Sequence, residues 1–305
     1  MNSQDIHTKV GERYGSAAKG SNAAYSTNVA KAFGYSNEDL DSIPKEANLG
    51  LSCGTPLAIA SLKEGETVID LGSGAGLDVF LSSSKVGITG KAIGVDMNEN
   101  MLAKARKLKA DRSMENVEFI ESRITDIALE DNIADCIISN CVVNLIPHDE
   151  KQKAFNEMHR LLKPGGRVAI SDILAKKPLS DGIRNSMALY VGCIAGASQV
   201  EEYEEYLKLA GFTDILITDT KSDLNVYLDA SSGAAAGGCC SAPENMADDL
   251  EGQDLNEWAE VPLLAAKIPD AVSGLLQDVR AAGQACDKQV ILQKSCNAGN
   301  IDRVE

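Results

Sequence analysis

Thr67-Val68-Ile69-Asp70-Leu71-Gly72-Ser73-Gly74-Ala75-Gly76-Leu77-Asp78-Val79-Phe80 decides the fold. It opens as a short β-branched apolar run, the pattern of a strand buried on both faces. It turns at Gly72, Gly74 and Gly76 and resumes with Leu77, Val79, Phe80 and Leu81, the apolar side of a helix. Strand, glycine turn and helix in that order form a nucleotide-binding crossover, the glycines letting the backbone approach a ligand. A tight turn without a ligand would read the same way, because a glycine motif alone is a weak signal.

A second strand agrees. Lys91-Ala92-Ile93-Gly94-Val95-Asp96 ends in a carboxylate at about the distance where such crossovers place a ribose-binding acid. Asp96 is therefore the candidate for ribose hydroxyls, and Met97 can lie against an adenine. The alternative for Asp96 is a helix N-cap, a common place for Asp and Asn. The spacing is G-x-G-x-G, not the G-x-G-x-x-G of dinucleotide enzymes. Asp70, at the end of the first strand, would repel a pyrophosphate but can take an ammonium group. These details favour S-adenosylmethionine over NAD.

Outward from this unit the pattern alternates. Further strands are expected over Val117–Glu121, Ala134–Asn140, 166–173 and Thr213–Asp219, and helices over 77–85, 99–110, 149–162, 182–194 and Val200–Ala210. Alternation of this kind predicts an α/β fold, a doubly wound, mostly parallel sheet wrapped by helices. Lys163-Pro164-Gly165-Gly166 stops one helix and opens the next strand. Residues 1–66 read as an N-terminal helical cap over the ligand crevice, with helices at 6–19 and 22–33. Pro56 suits the first turn of a helix over 57–62. Residues 67–229 read as the cofactor-binding core. The closing strand is either 224–228 or 261–267, and the later one is preferred. Residues 230–257, with Ser231 to Ser241 small and low in complexity, read as a flexible loop carrying Cys239-Cys240. That pair is either a mobile accessory pair of thiols or has no role. Residues 258–305 hold the possible closing strand, a helix at 269–282 and a weakly specified tail.

The chain has 305 residues, 44% of them apolar, enough for one large domain with an appendage. Its net charge of −16, from 29 basic and 45 acidic side chains, argues against nucleic acid or an anionic membrane as a partner. No stretch approaches the ~18 apolar residues of a membrane span. Met1-Asn2-Ser3-Gln4-Asp5 lacks the basic and apolar parts of a secretory signal, so a cytoplasmic protein is expected.

Eight cysteines are scattered without a C-x-x-C, and none of the three histidines is close to one in sequence, which disfavours a structural zinc site. Cys136 belongs to the core by its place near a strand start. Cys141 follows the end of the same strand, where sheets of this kind bind ligands, together with Asp70, Asp96, Asn140 and the turn at Ile124-Thr125. Cys193 lies among small residues, Val191-Gly192-Cys193-Ile194-Ala195-Gly196-Ala197, and Cys53 sits in a glycine-bracketed loop. Either is also readable as a packed thiol. Three thiols near one crevice would suit a soft, thiophilic element. No histidine follows a strand end as an obvious base, so the reaction need not involve one. Trivalent arsenic fits, since its lone pair can attack a sulfonium methyl directly.

With these residues in view, the chain resembles the arsenite methyltransferases, S-adenosylmethionine-dependent enzymes of the class I methyltransferase fold. The resemblance covers about residues 10–220. It rests on Asn48 to Pro56, Val68 to Gly76, Gly94-Val95-Asp96-Met97, Ile138-Ser139-Asn140-Cys141-Val142-Val143-Asn144-Leu145, Leu161 to Gly166 and Ser171-Asp172-Ile173. The resemblance implies that Cys141 and Cys193 bind As(III) and that Cys53 is the redox thiol. It implies that Asp70, Gly72, Ser73, Gly74, Gly76, Asp96, Met97, Ile124, Thr125 and Asn140 hold the cofactor. Thr125 stands where an acidic residue is expected, and no cysteine precedes Cys53. The expected partners are arsenite or thiol-bound As(III), and thioredoxin or glutathione as reductant. The competing readings are a small-molecule C- or O-methyltransferase and a non-catalytic arsenic-sequestering thiol protein.

Overall fold

The computed structural model describes residues 2–20, 22–225 and 254–269. The helices are α1 (Ser3–Ala17), α2 (Ala23–Ala32), α3 (Asn37–Ser42), α4 (Leu57–Ala60), α5 (Leu77–Val86), α6 (Glu99–Asp111), α7 (Lys151–Leu161), α8 (Asp181–Arg184), α9 (Met187–Val191) and α10 (Val200–Ala210). The strands are β1 (Thr67–Leu71), β2 (Lys91–Asp96), β3 (Val117–Glu121), β4 (Ala134–Asn140), β5 (Leu162–Ser171), β6 (Leu174–Ala175), β7 (Thr213–Asp219), β8 (Ala259–Glu260) and β9 (Pro262–Lys267).

Seven strands form one sheet in the order β3-β2-β1-β4-β5-β9-β7. The first five run parallel, and β9 inserts antiparallel between β5 and β7. β6 and β8 make a separate two-stranded ribbon. The central strands are buried on both faces because helices cover both, which is why Val68, Ile69, Leu71, Ile137 and Ile138 form nearly continuous apolar runs. Strand order reverses between β1 and β4, and a crevice opens beyond their carboxyl ends. Val68 to Leu71 pair with Cys136 to Ser139, so Asp70 and Asn140 reach the same rim. No helix among the described residues is long and apolar enough to cross a membrane.

The N-terminal helices pack on the segment that follows β5. Ile6, Val10, Val29 and Phe33 share an apolar cluster with Leu189, Tyr190 and Trp258, and Cys53, Cys141 and Cys193 lie inside it. α1 is also tied to α6 by the Asn98 amide, which donates to the Gly11 carbonyl at 2.8 Å.

Several elements differ from the sequence reading. The helix expected over 182–194 is two short ones, because Ser180 and Ser186 each cap a new start, accepting from Ile183 and Leu189 N–H. The helix expected over 57–62 stops at Ala60, where Ser61 turns left-handed at φ 46°. α3 was not expected, although its capping box of Ser36 and Asp39 has a readable S-x-x-D pattern. β5 starts at Leu162 rather than 166, and its register shifts where Lys163 to Gly166 loop out between the pairs Ala134–Leu162 and Cys136–Arg167. Of the alternative closing strand at 224–228, Leu224 and Asn225 form a turn. Residues 226–228, Cys239-Cys240 and the expected helix beyond Pro269 lie outside the described residues.

Candidate active site

The glycine turn is fastened to the end of β2. Gly72 and Ser73 donate backbone N–H bonds to the Val95 carbonyl at 2.7 and 3.0 Å. The Gly74 N–H donates to Asp96 Oδ2 at 2.8 Å, and the Asn98 N–H to Asp96 Oδ1 at 2.8 Å. Asp96 therefore does not cap α6, whose N-cap is Asn98; it holds the turn. Gly72 is in the left-handed region at φ 74°, and a Cβ there would lie 2.3 Å from Val142. Gly76, expected to bind cofactor, does not line the crevice. A Cβ on it would meet Phe119 at 2.8 Å and Phe80 at 2.9 Å, so it serves the packing of α5 against β3.

The crevice is lined by Asp70, Gly72, Ser73, Gly74, Asp96, Met97, Ile124, Thr125, Asn140 and Cys141, all named by the sequence reading. His7, Val10 and Tyr14 on one face of α1 also line it, as do Leu49, Leu51, Arg123 and Val142. Ser73 Oγ is buried and has no hydrogen-bond partner among the described residues, a polar atom left for a ligand.

Asp78, which the sequence reading passed over, lines the crevice as a third carboxylate. It accepts both bonds of a fork from Tyr35 Oη, at 2.8 and 2.9 Å, and one from Asn140 Nδ2 at 3.1 Å. Burial lifts its carboxyl to about 6 against those donors. Burial, then the charges of Asp78 and Asp96, hold Asp70 well above the usual carboxylate range. Burial also raises Asp96, opposed by the N–H groups of Asn98, Gly74 and Met97. Three crowded carboxylates make a site that a cation would relieve. Asp78 sits in the first turn of a helix, where an acid is ordinary, so its sequence position alone carried no signal.

The thiols meet at the same rim. Asn140 joins them to the carboxylates: its Nδ2 donates to Tyr35 Oη and the Gly54 carbonyl, both at 2.8 Å, and its Oδ1 accepts from the Cys53 N–H at 3.3 Å. Cys141 follows directly at φ 60°, and Cys193 turns at φ 64°. Left-handed backbone costs a non-glycine residue roughly 1–2 kcal/mol, so both cysteines are held where they do not relax on their own. The Cys193 thiol donates to the Cys141 carbonyl at 3.2 Å and lies 3.6 Å from Tyr14 Oη. Cys53 Sγ, Cys141 Sγ and a carboxylate oxygen of Asp172 all lie within 4.8 Å of one another. All three cysteines are buried, but only Cys141 lines the crevice. The hydrogen bond from Cys193 lowers the Cys141 pKa, yet the Cys53 partner, burial and the charge of Asp172 outweigh it and hold that thiol well above its ordinary range. Cys136 stands apart in the core, pushed up to about 12 by burial.

A methyltransferase-domain family model matches residues 62–211. The chain is 45% identical to an arsenite methyltransferase of Halobacterium salinarum over 211 residues, which is 65% of this chain and 54% of that protein. It is 39% identical to one of Aquipseudomonas alcaligenes over 168 residues, 53% of this chain and 48% of that protein. Over its methyltransferase domain the chain is thus similar to arsenite methyltransferases. Among solved structures, an arsenic(III) S-adenosylmethionine methyltransferase from Chlamydomonas reinhardtii superposes with a TM-score of 0.54 at 24% identity, covering 83% of this chain and 76% of that one. That likeness establishes the shared class I methyltransferase fold. The chain spans about half the length of the curated relatives it matches.

Proposed function

We propose that this chain methylates trivalent arsenic with S-adenosylmethionine. The observation that carries the reading is the convergence of Cys53, Cys141 and Cys193 beside an acidic crevice. Thiolates prefer soft ions, so a buried thiol cluster suits a thiophilic acceptor.

The crevice fits the cofactor's charge. Asp70, Asp78 and Asp96 face a space that favours an ammonium and a sulfonium. Asp96 and Met97 are assigned to the ribose and adenine, and the Gly72 to Gly74 turn to the amino-acid end. When bound, S-adenosylmethionine supplies an electrophilic methyl group. Cys141, the thiol that lines the crevice, presents As(III) to it, with Cys193 as the second ligand. Placement is the chain's main contribution, worth up to roughly 7–11 kcal/mol for a well-aligned pair. No step asks a protein base to act on the arsenic lone pair.

Methylation raises arsenic formally to As(V). Two thiols return two electrons and become a disulfide, with Cys53 as one partner. An external dithiol such as thioredoxin, or glutathione, then restores them. This cycle suits a reducing, cytoplasmic setting.

The test is incubation with S-adenosylmethionine, a thiol reductant and a panel containing arsenite and organic acceptors. Methylated arsenic detected by chromatography with mass spectrometry supports the reading. Methylation of an organic acceptor with arsenite untouched rejects it.

A further inference from the structure

Behind the thiols lies a buried polar cluster that the proposed reaction does not use. Asn144, in the stretch after Cys141, is fully buried. Its Nδ2 donates to Asp172 Oδ1 at 2.8 Å and the Ile173 carbonyl at 2.5 Å, and it also reaches the Cys193 carbonyl at 3.2 Å. Its backbone N–H donates to Asp172 Oδ2 at 3.2 Å. Its Oδ1 faces Lys151 Nζ at 3.5 Å. Lys151 is buried too, and donates to the Gly196 carbonyl at 2.5 Å and Ser198 Oγ at 2.9 Å. The Tyr203 hydroxyl completes the shell of Asp172 at 2.9 Å.

These bonds converge on one short segment, Cys193 to Ser198. Gly196 packs so tightly that a Cβ there would lie 1.9 Å from the Asn144 carbonyl oxygen. The small residues around Cys193 are therefore explained by this close approach rather than by ligand access. Three independent elements contribute: Asp172 at the end of β5, Lys151 at the start of α7 and Asn144 in the turn between β4 and α7. Buried polar groups that are satisfied rigidify what they touch. A left-handed Cys193 needs such support, and in that conformation its thiol meets the Cys141 carbonyl.

We infer that Asn144 is a positioning residue for arsenic binding: it locks the Cys193 carbonyl to Asp172 and Lys151, and so holds the Cys193 thiol against Cys141. The inference rests on the arsenic reading above. It assigns Asn144 and Lys151 to the thiol half of the site alone, since neither lines the crevice assigned to S-adenosylmethionine.

The experiment uses the full chain with arsenite as the probe. Asn144→Asp keeps the volume but removes the two N–H donors. Lys151→Met keeps the length but removes the tether to the Gly196 segment, and carries the test if the first variant does not fold. Arsenite affinity should fall at least tenfold in Asn144→Asp and less in Lys151→Met, while S-adenosylmethionine affinity by calorimetry stays within twofold of the parent. X-ray absorption should show arsenic losing one sulfur ligand relative to the parent. If the parent itself binds arsenite without sulfur ligation, the arsenic reading fails and this inference with it. If the parent binds through sulfur and both variants match it in affinity and sulfur count, the positioning role alone is wrong. A variant that melts cooperatively yet loses both ligands together also overturns it.

Discussion

Asp96 stands at the end of β2, where it lines the crevice and fastens the glycine turn. Both its oxygens already accept backbone N–H bonds, from Gly74 and Asn98, so it shapes the turn as well as facing the crevice. Hydrogen bonds to a charged group are worth roughly 1.5–3 kcal/mol each. Asp96→Ala should therefore weaken S-adenosylmethionine binding by tenfold or more, through the turn and the ribose together; unchanged affinity by calorimetry would sink the assignment. The three thiols should separate by variant. Cys193→Ser should lose tight As(III) binding, whereas Cys53→Ser should still bind it but stall early in turnover, because Cys53 is assigned to the reduction of arsenic and not to its ligation. Single-turnover and multiple-turnover rates, both measured with the same thiol reductant, distinguish the two: Cys53→Ser sustaining the parent's multiple-turnover rate would contradict its redox role. Asp78, Tyr35, Asp172 and Lys151 were not legible in the sequence as parts of this site. Their partners lie far along the chain, 43 residues apart for Tyr35 and Asp78 and 31 for Tyr203 and Asp172, and no local pattern records such pairings.

At the scale of elements, the crossover from β1 to α5 was legible because periodicity and glycine spacing are local signals. The same signals were silent on what each glycine does. Gly72 stands against Val142 and Gly76 against Phe80 and Phe119, and only the first lines the crevice. Gly76→Ala combines a positive φ with a close contact, so it should lower stability by about 1–3 kcal/mol. Its cofactor affinity, measured well below its melting temperature, should stay near the parent's. Gly72→Ala should damage cofactor binding as well, and equal behaviour of the two variants would contradict this division. The late closing strand was legible as an apolar run, but its antiparallel insertion between β5 and β7 was not, since pairing depends on which edge is open. The break between α8 and α9 was hidden because Ser186 looks like an ordinary helix residue until its side chain is seen capping.

For the whole molecule, the acidic crevice couples ligand binding to pH. Asp78 is raised to about 6 by burial, and Asp70 well above its usual range by burial and neighbouring carboxylates. A carboxyl with a raised folded pKa stabilises the fold fully below its unfolded pKa and loses that contribution as pH rises through the folded pKa. The unliganded protein thus carries its largest penalty above about pH 6. A bound cation removes it. Saturating S-adenosylmethionine should raise the melting temperature more at pH 7.5 than at pH 5, and an equal or reversed increment would show that these carboxylates do not meet the cation. Such coupling is invisible in a composition of −16 net charge, because it depends on which acids are crowded together. In the proposed reaction, arsenic is methylated while held by thiols at the end of β4. The most direct measurement is transfer of a radiolabelled methyl group from S-adenosylmethionine to arsenite by the parent and by Cys141→Ser, with cofactor binding checked in both. Labelled methylarsenic is expected from the parent and none from Cys141→Ser despite normal cofactor affinity. Methylation of arsenite by Cys141→Ser at the parent's rate would contradict it.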